Sequence, residues 1–108
     1  MTKKELKDSY KQLKFKIGVF QIRNTVTGKV FVGSSVNLDA IWNRHHTQLK
    51  FGGHPNEALQ ADWNALGEGK FVYEILDTIE QKEADGVDYG KEAKQLEAMY
   101  RAEITHLY

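Results

Sequence analysis

Glu97 stands in the middle of an apolar helical stripe formed by Ala93, Leu96, Tyr100, Ile104 and Leu107. A carboxylate facing a core is costly unless it is paired, neutralised or coordinating a cation. His45 raises the same question on a second stripe, central to Leu38, Ile41, Trp42 and Leu49. Three readings are open: His45 is satisfied by hydrogen bonds within the core, Glu97 and His45 form one buried pair, or both line a cleft in which Glu97 holds a hard divalent ion through oxygen. A further oddity is the stretch GVFQIRNTVTGKVFVG from Gly18 to Gly33, in which Phe20 and Phe31 each sit beside a valine and close to a glycine. Cross-strand packing would explain the pattern, and so would the floor of an active site.

Other chemistries find no support. The chain has no cysteine, which excludes disulfides and thiolate metal sites. His45, His46 and His54 lack a recognised zinc-ligand spacing, and the adjacent pair His45–His46 cannot both face inward on one helix. There is no glycine-rich phosphate loop, no HExxH and no serine-nucleophile motif.

The elements that position these residues are legible from periodicity. Thr2 with Glu5 makes a capping-box pattern, and Leu6, Tyr10 and Leu13 follow at helical spacing among lysines, so residues 1–15 read as an amphipathic basic helix. Phe15 to Arg23, the turn residues Asn24 to Gly28, and Lys29 to Ser34 read as a β-hairpin. Closed on a four-residue loop, this hairpin is expected to set Phe20 opposite Phe31. A helix carrying His45 comes next, broken by FGGHPN. Another follows with Leu59, Trp63 and Leu66 on its inner face. KFVYEIL is a third strand, and a last helix is expected from Lys91 to Leu107. Short strands among helices in the order α-ββ-α-α-β-α give an α+β domain over residues 16–108 behind the N-terminal helix.

The 108 residues carry 15 basic and 15 acidic side chains, a net charge of zero. The distribution is uneven. Residues 1–50 hold ten Lys or Arg against three acidic groups, +7, and residues 51–108 hold five against twelve, −7. Such asymmetry marks a basic binding face, unless the halves interleave in space. No run is apolar enough for a membrane span or a secretory signal, and the expectation is a cytoplasmic monomer without a membrane partner.

The motifs in this order resemble the GIY-YIG endonuclease domain family. GVF (Gly18 to Phe20) stands in the GIY place and FVG (Phe31 to Gly33) in the YIG place. The similarity continues through GSSVNL, WNRH, GGHPN, LQADWNALGEGKF and YEILD to Glu97, covering about residues 16–104. The resemblance implies a three-stranded antiparallel sheet flanked by helices, and cleavage of a DNA phosphodiester with one divalent metal, Mg²⁺ or Mn²⁺. It makes Glu97 the metal ligand and places His45 by the scissile phosphate. It also sets Phe20 and Phe31 where the family has two tyrosines, and Ile41 where it has an arginine.

These replacements remove chemistry. Phenylalanine keeps the ring but cannot donate, accept or take up a proton. Isoleucine supplies no charge to a phosphoryl transition state, and losing one such stabiliser costs about a hundredfold to a thousandfold in rate. Arg44, His54 and Tyr73 are the candidates to compensate, since a metal-bound hydroxide needs less help from a base. The leading expectation is a nuclease-like domain with lost or strongly reduced hydrolysis that still binds nucleic acid, DNA in the first place, through Lys29, Arg44, His45 and Lys50. The alternatives are a divergent but active metal-dependent DNA endonuclease, and a protein-interaction module that reuses the fold.

Overall fold

The computed structural model describes residues 15–81 and 86–108. The N-terminal helix expected over residues 1–15 lies almost wholly outside the described residues. Strand β1 (Gly18–Asn24) is central and pairs antiparallel with β2 (Val30–Ser35) on one side and β3 (Phe71–Thr78) on the other. Helices α1 (Leu38–Lys50) and α2 (Glu57–Leu66) fall between β2 and β3, and α3 (Tyr89–Glu103) follows β3. The architecture is the α+β arrangement expected, with a three-stranded antiparallel sheet. Among the described residues, no helix is long and apolar enough to cross a membrane.

Alternation along β1 explains why both sheet faces are covered. Phe20 and Ile22 point to one side, where Leu38 and Leu49 of α1, Leu59 and Trp63 of α2, and Phe71 complete a buried cluster. Val19 points to the other side with Val30 and Val32, under Leu96, Tyr100 and Ile104. The helices start where short polar side chains cap their free N–H groups. Asn37 accepts from the Ala40 N–H, Asn56 from Leu59 and Asp88 from Lys91.

The hairpin closes on four residues, Thr25 to Gly28, with the Asn24 N–H bonded to the Lys29 carbonyl. That register sets Phe20 against Gly33 and Phe31 against Ile22, which corrects the expectation that the two phenylalanines face each other. They are diagonal neighbours on one face, ring centroids 6.4 Å apart. Glycine at 33 is a packing requirement: a Cβ there would lie 2.6 Å from Cζ of Phe20. The aromatic ring uses the space that a side chain would fill.

The last helix is shorter than its periodicity suggests. It ends at Glu103, and the tail runs extended along the free edge of β2. The Val30 N–H donates to the His106 carbonyl, and the Tyr108 N–H donates to the Val30 carbonyl. Edge groups of a sheet need partners, and this demand outweighs continuation of the helical stripe to Leu107.

Candidate active-site cleft

The inner stripe of α1 delivers His45 to the Phe20 and Phe31 rings, each 5.3 Å away between centroids. Its partner there is His54, which follows the Gly52–Gly53 turn. His45 Nδ1 and His54 Nε2 are 2.8 Å apart. The expected alternative, a buried pair between His45 and Glu97, is not what forms. Gln60 holds the loop in place, accepting from the His54 N–H and donating to the Leu49 carbonyl.

The proton positions follow from one backbone contact. The Asn56 N–H donates to His54 Nδ1. A neutral His54 therefore carries its proton on Nε2 and donates it to His45 Nδ1. His45 in turn carries its own proton on Nε2. Both rings are neutral near pH 7. Burial, with the charges of a protonated His54 and of Arg44 adding to it, pushes His45 down to about 4. Burial also lowers His54. His45 thus offers a neutral N–H donor, and no group among the described residues is bonded to that Nε2.

Of the candidates to compensate for the absent tyrosine and arginine groups, Tyr73 already has a partner. The Tyr73 hydroxyl donates to the Leu38 carbonyl, and burial, with the charge of Asp39, pushes it up to about 12. Its ring lies 5.5 Å from Phe20 and stacks on Trp42 at 5.2 Å. Phe20 is 1% exposed, and Ile41 packs against the same apolar cluster. Arg44 is exposed one position along from His45, and Lys50 is exposed in the last turn of α1. Lys29 lies instead at the hairpin end, its ammonium 5.8 Å over the Tyr108 ring.

Glu97 is anchored on the opposite sheet face, the one carrying Val30 and Val32. Its Oε1 accepts from the Ser34 hydroxyl at 3.0 Å, and its Oε2 lies 3.6 Å from Arg101. Its side chain is 24% exposed, so the apolar stripe does not bury the carboxylate. Among the described residues no group of three His, Cys, Asp or Glu converges as a metal cage. Periodicity alone did not reveal the Ser34 contact. The GSSVNL motif was its one sequence signal.

Comparison with known proteins places this geometry. Intron-associated endonuclease 1 of Enterobacteria phage T4 is 39% identical to the chain over 64 residues, 59% of this chain and 26% of the phage protein. The catalytic domain of homing endonuclease I-TevI superposes with a TM-score of 0.70 at 28% identity, covering 85% of this chain and 97% of that one. A point-mutant form of the same catalytic domain gives 0.69 at 29% identity, covering 82% and 84%. Together these similarities of sequence and fold support a GIY-YIG nuclease domain.

No family model matches the sequence. The chain spans about a quarter of the length of the phage relative. Within the GIY-YIG frame, GVF lies on β1 and FVG on β2, with Phe20 and Phe31 meeting diagonally over His45. Phe20 and Phe31 thus form an aromatic floor that carries no phenol at either position.

Proposed function

We propose that this GIY-YIG domain binds DNA and has lost, or strongly reduced, phosphodiester hydrolysis. The observation that carries the reading is the His54-to-His45 hydrogen bond. It leaves His45 Nε2 as a neutral donor, suited to a phosphate oxygen and unsuited to taking a proton from water. Phe20 and Phe31 bring no hydroxyl to the task, and Tyr73 is committed to Leu38. Exposed Arg44 and Lys50 on the same helix supply cations for the backbone of the bound strand. The names of the similar proteins, an intron endonuclease and a homing endonuclease, support DNA as the partner.

Glu97 and Ser34 supply hard oxygen donors that fit Mg²⁺ or Mn²⁺, an ion that takes few protein ligands and completes its shell with water and phosphate. Bound there, the ion would add positive charge against a phosphate on that face of the sheet, not against one at His45. Arg101 beside Glu97 competes for the same carboxylate. The accessibility of Glu97 favours a second reading, a weak metal-dependent nuclease.

Supercoiled plasmid incubated with the protein and Mg²⁺ or Mn²⁺, beside Glu97→Ala, separates the two. The expected result is no nicking by either protein, with salt-dependent retention of the plasmid by both. Nicking by the parent that disappears in Glu97→Ala would establish the second reading. Failure to retain DNA even at low salt would leave a protein-interaction module.

A further inference from the structure

We infer that Phe51 is a stacking platform for an unpaired nucleobase of the strand bound beside His45, so that the domain selects DNA with a single-stranded segment. The inference rests on the DNA-binding reading above. Phe51 is 79% exposed, the highest among the large apolar side chains of the described residues. The fold does not need this ring, because Leu49, two positions earlier, already fills the core.

The backbone under the ring is nevertheless fixed. The Phe51 N–H donates to the Thr47 carbonyl, Gly52 to Leu49 at 3.3 Å, and Gly53 to Gln48 at 2.8 Å. A held backbone presents the aromatic face at small entropic cost on binding. Gly52 and Gly53 beside it have nothing within 4 Å of where a Cβ would stand, so no other segment packs against this turn there.

Placement ties Phe51 to the cleft. His54 follows three residues later, so the two backbones are at most about 11 Å apart. Arg44 and Phe51 are separated by seven positions along α1 and its cap, which puts them on one helical face. Their axial separation is about 10 Å, the span of roughly three nucleotides. Lys50 adjoins the ring in sequence. Cations that follow a backbone, with an aromatic face beside them, are the means by which single strands are gripped without base readout. In a duplex the base faces are covered by their neighbours. A ring fixed in this way therefore gains contact where a base is already unstacked.

The test uses the full chain and labelled DNA in two forms, a blunt duplex and the same duplex with a single-stranded extension. Fluorescence anisotropy is compared for the parent, Phe51→Ala and Phe51→Leu. The expected result is tighter binding of the extended DNA by the parent. Phe51→Ala then loses roughly 5- to 150-fold on the extended DNA and little on the blunt one. Phe51→Leu follows Phe51→Ala, because stacking needs the ring. A Phe51→Trp variant should lose indole emission on adding the extended DNA, beyond any change in the parent. Unchanged melting curves establish that the variants fold.

Equal affinities of Phe51→Ala and the parent for both DNAs would overturn the inference and free the ring for another partner. Equal losses on both DNAs would overturn it too, since they place the ring on the duplex. Absence of binding by the parent to either DNA would remove the DNA-binding reading, and this inference with it. Parent binding with an indifferent Phe51 removes the inference alone.

Discussion

His45 and His54 show how much one backbone N–H decides. Asn56 donates to His54 Nδ1, and that single contact sets the direction of the proton between the two rings. The pair has a consequence for stability. Both folded rings are held below the ordinary histidine range, His45 at about 4. Below about pH 6.5 the unfolded chain takes up protons that the folded chain refuses. The pair's contribution is therefore complete above about pH 6.5 and is lost as pH falls toward 4. Thermal melting of the parent should decline across that window. His45→Asn, whose amide oxygen stands near the Nδ1 position and still accepts from His54, should decline less. Identical slopes for the two proteins would show that His45 is not the group responsible. Sequence periodicity placed His45 on the inward stripe, but it carried no sign that His54 would be the partner.

At the scale of elements, the stretch after α3 changes how the sheet is finished. The tail covers the edge of β2 and ends with Tyr108 locked into a polar cluster. Its hydroxyl donates to Asp62 on α2 at 2.7 Å and accepts from Asn24 at the end of β1 at 2.9 Å. Asn24 is fully buried, and its side-chain oxygen also accepts from Val26 and Thr27, which shapes the hairpin loop. One hydroxyl thus joins hairpin, helix and tail. Tyr108→Phe should lower unfolding stability by about 1 kcal/mol, and by up to about 3 if Asp62 and Asn24 are left unpaired. Urea unfolding measures it, and no change in midpoint would mean that the 3.5 Å Asn24–Asp62 contact makes up the loss. The hydrophobic pattern extended the helix to Leu107 because Ile104 and Leu107 keep its period. A free strand edge nearby is not visible in any local pattern.

Over the whole molecule the opposite charges of the two halves partly interleave. Arg23 of β1 pairs with Glu74 of β3 at 2.7 Å, and His46 of α1 meets Glu68 before β3. Among the described residues no ion pair engages Arg44 or Lys50. A chain of zero net charge offers little long-range attraction, so DNA binding rests on these few cations. With Arg44, Lys50 and Lys29 on phosphates, log affinity should fall with log salt at a slope of roughly −3. Arg44→Ala should make it shallower by about one. A slope near zero would mean that phosphates are not the ligand. This measurement also tests Lys29, which stands at the hairpin end rather than on α1.

By itself the sequence determined the order of elements, the α+β class, the stripe that brings His45 inward and the absence of hydroxyls at Phe20 and Phe31. Those are properties of residue type and local period, and each was readable because neighbours in the chain impose it. Tertiary structure alone decided the offset of Phe20 against Gly33, the His45–His54 bond, and the seat of Glu97 on Ser34 across the sheet from them. Period fixes which face a side chain takes. Which distant atom it meets there, and how deeply, depends on how separate segments pack, and no single segment carries that information.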